Sequence, residues 1–317
     1  MRFFSARCTS TARLDGKTAI ITGANTGIGK WTAKDFFERG ARVILACRNV
    51  QKGEKAVEDI KSLSADQKTN LGQLLVMPLD LSSLNSVRTF AGKFLESEER
   101  LDLLINNAGV MMCPEMRTEE GFEMQFGTNH LGHFLLTLLL LPKICQSTPA
   151  RIVNVSSVAH SMTSSIDFTD LNWNKRSYSA LKAYQQSKLA NVLFTKELAR
   201  KFNENNITGV TTYSLHPGVI RTELGRHMSK TYFSGVRWFW DNIAGHFIKT
   251  PEQGAQTQIH CAVDESCAKD TGLYYSECSV VEPSKLAKDE ETASTLWSKS
   301  LELVGLEPDY NPFKNLK

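Results

Sequence analysis

From Gly16 to Val304, short β-branched apolar runs alternate with segments whose apolar positions recur every three or four residues. The runs Lys17–Thr22 (KTAIIT), Arg42–Cys47 (RVILAC), Leu74–Asp80, Leu101–Asn106 (LDLLIN), Arg151–Ser156 (RIVNVS), Gly209–Ser214 and Gly272–Ser276 read as strands. Gly27–Arg39, Gln51–Leu63, Leu84–Glu96, Glu120–Leu141, Ser179–Phe202, Glu252–Val263 and Lys288–Val304 read as helices. The strands are apolar almost throughout instead of alternating, which predicts a parallel sheet covered on both faces. Strand–helix alternation with right-handed crossovers predicts an α/β fold, a doubly wound parallel sheet flanked by helices. Ligands of such sheets sit at the carboxyl ends of the strands. With no linker, repeat or low-complexity tract, the chain reads as one domain over 16–317, after a basic N-terminal tail over 1–15.

Composition narrows the class. The 317 residues are 41% hydrophobic and 22% charged, ordinary for a globular protein. A net charge of +3, with no block of Lys or Arg, gives no nucleic-acid surface. Seven cysteines are scattered and form no C-x-x-C pair, so neither a disulfide framework nor a metal site is expected, and a reducing compartment is. The longest apolar run, Phe134–Leu141, is far shorter than the roughly 20 residues a membrane span needs. Residues 1–14 carry Arg2, Arg7 and Arg13, several Ser and Thr, and no acid. That composition is similar to a short mitochondrial presequence, the alternative being a disordered basic tail.

Two features carry chemistry. Tyr184 and Lys188 lie four apart within the Ser179–Phe202 helix and so share a face. A free phenol is a poor acid at neutral pH, and a neighbouring ammonium favours the phenolate. The pair is a candidate proton-transfer device, with Tyr184 as acid/base and Lys188 tuning it. Gly23, Asn25, Thr26, Gly27, Ile28 and Gly29 form a G-x-x-x-G-x-G turn between the first strand and first helix. Such a turn lets a pyrophosphate approach the backbone and the helix N-terminus, as in Rossmann folds. The second strand ends in Arg48, where an acid would select NAD. Arg48, with Lys30 as a second positive charge, predicts NADP(H).

Together these features resemble the short-chain dehydrogenase/reductase superfamily, and further motifs match it in order. Asp80 and Leu81 look like its adenine-contacting segment, and Asn106-Asn107-Ala108-Gly109 like its N-N-A-G turn. Asn129 matches the helix-kinking Asn that anchors a proton-relay water, and Ser157 the catalytic Ser. Pro217, Gly218 and Thr222 match the nicotinamide-side loop. The strings at 21–30, 106–112 (NNAGVMM), 129–135 (NHLGHFL), 185–190 and 221–227 look like the 11-to-14 group of retinol dehydrogenases. The bland alternatives are Asp80 as a cap, Asn106 and Asn107 as turn formers, and Ser157 as a strand-end hydroxyl. His130 and His133 are three apart like metal ligands, but with no third ligand near in sequence they read as structural.

The resemblance implies NADP(H)-dependent interconversion of retinal and retinol. Tyr184 supplies the proton, Ser157 holds the substrate oxygen, Lys188 binds the nicotinamide ribose, and Asn129 links Lys188 through water to solvent. Those relatives usually carry an N-terminal hydrophobic anchor, whereas this chain starts with only Phe3-Phe4. The expected location is intracellular, at the mitochondrion or the endoplasmic-reticulum membrane surface. Residues 220–250, rich in aromatic and basic side chains, read as an apolar lid for a lipid-like substrate, as a peripheral membrane contact, or as a lid packed on its own core. Dimerisation is common among similar proteins, so a homodimer stays open. The alternative functions are a broader carbonyl reductase for lipid aldehydes or steroids, reduction of a C=C bond, and a catalytically silent NADPH-binding regulatory protein.

Overall fold

The chain folds around β1 (Thr18–Thr22), whose five residues are all buried. The computed structural model describes residues 6–67, 70–220, 249–307 and 310–314. After β1 come α1 (Gly27–Glu38), β2 (Arg42–Cys47), α2 (Val50–Leu63), β3 (Gln73–Pro78), α3 (Leu84–Ser97) and β4 (Leu103–Asn106). A single α-turn at Met124–Phe126 and a π-helical turn at Gly127–Leu131 lead into α4 (Gly132–Gln146). Then follow β5 (Ala150–Val155), α5 (Ala180–Glu204), β6 (Val210–His216), α6 (Pro251–Val263), β7 (Leu273–Ser276), β8 (Ser279–Val280) and α7 (Glu290–Leu303). The eight strands are ordered β3-β2-β1-β4-β5-β6-β7-β8. All pairings are parallel except β7 with β8. The chain therefore winds outward in both directions from β1 and β4, and the carboxyl ends of those two strands define a crevice.

Each sheet face is sealed by its own apolar cluster. Phe90, Phe94, Phe126, Phe134, Leu193 and Trp297 pack on one side, and Phe36, Ile60, Ile259 and Tyr213 on the other. Helix starts follow from caps. Asn49, Ser83, Ser179 and Asp289 each accept an amide of the following turn, and Thr250 with Gln253 forms a capping box ahead of Pro251.

The differences from the sequence pattern have local causes. β4 starts at Leu103, not Leu101, because Asp102 turns aside to take Lys17, Arg100 and the Thr18 amide. The helix predicted from Glu120 begins at Met124, is interrupted by the π turn, and runs on through Pro142 to Gln146. β8 has two residues, too few to show a period. The basic segment read as a tail lies, over its described part, against α1 and α6. Arg39 donates to the carbonyls of Ser10 (2.9 Å) and Ala12 (2.8 Å), the Cys8 amide donates to Gln256 (3.1 Å), and Leu14 is buried. Among the described residues no helix is long and apolar enough to cross a membrane. The lid read over 220–250 lies outside the described residues, apart from its ends at Ile220 and at Lys249 and Thr250.

Candidate active site

The glycine turn leaves β1 at its carboxyl end. Gly23 and Gly27 have φ of 66° and 57°, values that L side chains rarely adopt. A Cβ on Gly29 would lie 2.5 Å from Asn107 Nδ2 and 2.8 Å from the Gly23 carbonyl oxygen, so only glycine fits there. Thr26 is the N-cap of α1 yet makes no side-chain cap, and the first turn holds no acid. The free amides of that turn, with the positive end of the helix dipole, form an anion site. Asn25, Thr26 and Ile28 are at least partly accessible around it.

The N-N-A-G turn is fastened to this loop from below. The Thr22 hydroxyl accepts the amides of Asn107 and Ala108, both at 2.9 Å, and lies 2.8 Å from His133 Nε2. His133 Nδ1 is 3.0 Å from the Asn129 carbonyl, so the ring donates from Nδ1 and accepts the Thr22 proton at Nε2. Burial drives His133 down to about 4 and His130 to about 3, which keeps both neutral. His130 bonds Ser300 (2.8 Å) among Phe126, Phe134 and Phe194, the structural place expected of it.

Asn129 sits inside the π turn, the widened ring that produces the kink. Its Oδ1 accepts the Val110 amide (2.8 Å), and its Nδ2 donates to the Val110 carbonyl (2.9 Å) and to Ser187 Oγ (3.0 Å). Beside it, a Cβ on Gly109 would stand 3.3 Å from Asn129 Oδ1 and 3.6 Å from Lys188 Nζ. Asn129 and Lys188 therefore converge on the bare edge of Gly109. At the other end of the same turn, Ala108 packs on Gly23, where an added Cβ would be 3.0 Å from its methyl. The N-N-A-G turn thus connects the glycine loop to the Tyr184 helix.

Ser157 follows β5 and caps a 3-10 turn, accepting the Ala159 amide at 3.2 Å. Its hydroxyl faces the Tyr184 phenol and favours the phenolate. Tyr184 and Lys188 are only 6% and 3% exposed, and burial dominates both. It pushes Tyr184 up to about 12 and Lys188 down to about 8. Lys188 Nζ donates to the Val155 carbonyl (3.1 Å), an acceptor shared with Asn191 Nδ2 (3.1 Å). The expected lowering of the phenol by the ammonium is therefore not what this geometry gives. Desolvation outweighs it because the ammonium is itself disfavoured and turned toward backbone.

The outer cofactor residues are placed unevenly. Arg48, 64% exposed, reaches Asp80 only at 3.8 Å and is available at the end of β2. Lys30 is instead paired with Asp59 at 2.5 Å, so the second positive charge expected there is largely neutralised within the protein. Asp80 Oδ1 accepts the Ser82 amide and hydroxyl (2.9 and 2.6 Å), while Leu81 is buried against Gly132. Pro217 and Gly218 follow β6. Gly218 has φ of 95°, and Lys249 packs across it. Thr222 lies outside the described residues.

A dinucleotide fits these residues. The turn has room only for glycine, the α1 amides lack a protein cap, and Asn107 Oδ1 is a buried acceptor with no partner in the protein. Sequence reasoning missed three supports. Ser187 joins Asn129 to α5, accepting from Asn129 and donating to the Tyr184 carbonyl (2.8 Å). Its place beside Lys188 was the one available signal. Thr22 and His160 gave none. His160 Nδ1 lies 2.7 Å from the Ser157 carbonyl, and its Nε2 accepts the Ser284 amide (3.1 Å), tying the Ser157 turn to a segment over a hundred residues away.

Comparison with known proteins agrees with this arrangement. The short chain dehydrogenase family profile matches residues 17–232. Retinol dehydrogenase 11 of Homo sapiens is 52% identical over 305 residues, 96% of this chain and 91% of that protein. Retinol dehydrogenase 13 of Homo sapiens is 50% identical, over 95% of this chain and 88% of that protein. Among solved structures, an uncharacterized protein from Mycobacterium paratuberculosis superposes with a TM-score of 0.75 at 36% identity, covering 97% of this chain and 100% of that one. RhlG of Pseudomonas aeruginosa, solved as an NADP active-site complex, gives a TM-score of 0.63 at 26% identity, covering 83% of this chain and 94% of that one. Family profile, close relatives and fold agree: the chain belongs to the short-chain dehydrogenase family and is an oxidoreductase acting on CH–OH donors with a nicotinamide dinucleotide.

Proposed function

We propose that this chain interconverts retinal and retinol with NADP(H), with Tyr184 as the acid/base. The observation that carries the catalytic part is the convergence of Asn129 and Lys188 on Gly109, in the turn that also packs on Gly23, with Tyr184, on the same helix as Lys188, facing Ser157. The bound nicotinamide supplies the hydride; the remaining work falls to the protein. Ser157 holds the substrate oxygen where negative charge develops, and Tyr184 gives or takes the proton at that oxygen. A neutral phenol held near 12 is well suited to donating in the reductive direction. Lys188, freed from the Val155 carbonyl, is positioned to bind the nicotinamide ribose, and Asn129 beside it to anchor the water that restores the proton.

NADP(H) is favoured by the exposed Arg48 at the end of β2, with no acid beside it in sequence, and by the NADP complex of RhlG. A long apolar substrate is favoured by exposed Val158, Leu181 and Val219, at 44, 42 and 47%. Val158 adjoins Ser157, Leu181 lies one turn before Tyr184, and Val219 follows Gly218. Two retinol dehydrogenases at 52 and 50% identity point to a retinoid. The test is NADPH oxidation by the purified protein with all-trans-retinal, medium-chain aldehydes and a steroid ketone. The reading expects kcat/KM for retinal to exceed the others by at least about tenfold, a gap of roughly 1.4 kcal/mol in transition-state binding. Equal rates would favour a broad carbonyl reductase, and no turnover with any of them a binding-only protein.

A further inference from the structure

Among the described residues, one group of three metal-ligating side chains converges well away in sequence from the site above. Cys8, His260 and Asp264 each bring one donor atom, all within 4.8 Å of one another and all half-buried. The placement is built from both sides. The N-terminal segment is tied down by Arg7 to Glu252 (3.0 Å), the Cys8 amide to Gln256 (3.1 Å) and Ser10 to Glu265 (3.0 Å), which carries the Cys8 thiol to the C-terminal end of α6. Asp264 caps that end. Its Oδ1 is used by the amide and hydroxyl of Ser266 (3.0 and 2.7 Å), leaving Oδ2 for other partners. His260 Nδ1 lies 3.2 Å from that Oδ2, and Cys8 Sγ 4.0 Å from it.

Tetrahedral zinc, with bonds of about 2.0 Å to N or O and 2.3 Å to S, sets its ligand atoms roughly 3.3–3.7 Å apart. The observed 3.2 and 4.0 Å bracket that range. The other imidazole nitrogen, Nε2, is 3.3 Å from Cys267 Sγ, the outer partner that fixes the tautomer of a metal-bound histidine. With the proton on Nε2, the Nδ1 lone pair faces Asp264 Oδ2 at 3.2 Å, an arrangement that a cation between them satisfies. The carbonyl end of the 13-residue α6 also favours positive charge. Without a metal, protons running from Cys267 through His260 to Asp264, and from the Cys8 thiol to Asp264 Oδ2, would join the same groups by hydrogen bonds alone, and thiolate–metal spectroscopy separates the two arrangements.

We propose that Cys8, His260 and Asp264 form a binding site for a zinc-class divalent cation that clips the N-terminal segment to α6, with a fourth position open to water. This departs from the expectation of no metal site, because Cys8 and Asp264 are 256 positions apart and no spacing motif joins them.

The test uses the full chain, stripped with chelator and titrated first with Co²⁺ and then with Zn²⁺. The proposal expects one equivalent of Co²⁺ with a thiolate-to-cobalt charge-transfer band, displaced by Zn²⁺. It also expects a zinc-induced rise in Tm of roughly 5 °C at about a hundredfold excess over Kd. Cys8→Ser should abolish the band, and Cys8→Ser, His260→Gln and Asp264→Asn should each weaken zinc binding at least tenfold. Cys267→Ser should retain the band. Circular dichroism establishes that each variant is folded. No band in the wild type, a band that survives Cys8→Ser, or one that depends on Cys267 instead, overturns the proposal.

Discussion

Lys188 Nζ stands 5.7 Å from the centre of the Tyr184 ring and donates its hydrogen bond to the Val155 carbonyl, not to the phenol. The two residues share a helix face, but the amine is turned to the backbone at the end of β5. Burying the amine there costs stability.

The cost can be read from pH. Burial lowers Lys188 from 10.5 to about 8, so above about pH 8 the unfolded chain binds the proton that the folded chain has released. The penalty is complete below about pH 8 and fades as pH rises toward 10.5. It is on the order of 3 kcal/mol at neutral pH. Lys188→Met should therefore raise the stability of the cofactor-free protein at pH 7, with the gain shrinking by pH 10, while abolishing turnover. Urea unfolding at the two pH values measures this, and a variant less stable at both would contradict it.

Asn129→Ala removes the partners of both the amide and the carbonyl of Val110, and the donor to Ser187. Two half-buried backbone groups left unpaired should cost about 1–3 kcal/mol. Turnover should fall at least tenfold, since the neighbour of Lys188 is gone. Urea unfolding together with steady-state kinetics separates the two effects.

Gly29→Ala places a methyl 2.5 Å from Asn107 Nδ2. The glycine turn and the N-N-A-G turn must then move apart. The KM for NADPH should rise at least tenfold, with a smaller change in the KM for the carbonyl substrate. Initial-rate kinetics with each substrate varied in turn would show it.

Arg48→Asp reverses the charge at the end of β2. The ratio of kcat/KM with NADPH to that with NADH should invert, and an unchanged ratio would remove Arg48 from the cofactor site. Lys30→Ala should shift that ratio much less, because Lys30 is already held by Asp59.

The doubly wound parallel sheet and the placement of the motifs were legible because seven of the strands are short apolar runs and most crossovers carry a helical period, whereas the two-residue β8 and the π turn at Gly127–Leu131 leave no such signal. Tyr184, Lys188 and the glycine turn were legible because their chemistry requires those residue types at those spacings, and Ser157 only through the family resemblance. The supports were not. Thr22, His133 and Ser187 each act through at least one hydrogen bond to a partner far off in sequence, and His160 ties the short turn after Ser157 to the Ser284 amide, contacts that no period records. The state of Tyr184 was misjudged for a related reason. Helical spacing put a cation beside it, but only the fold shows how deeply both are buried.

Tyr184→Phe tests the central claim most directly, with NADPH affinity and retinal turnover measured on the same preparation. Loss of a positioned proton donor predicts NADPH affinity within a few-fold of wild type and kcat reduced about 10²–10⁴-fold. Turnover within tenfold of wild type would contradict the account.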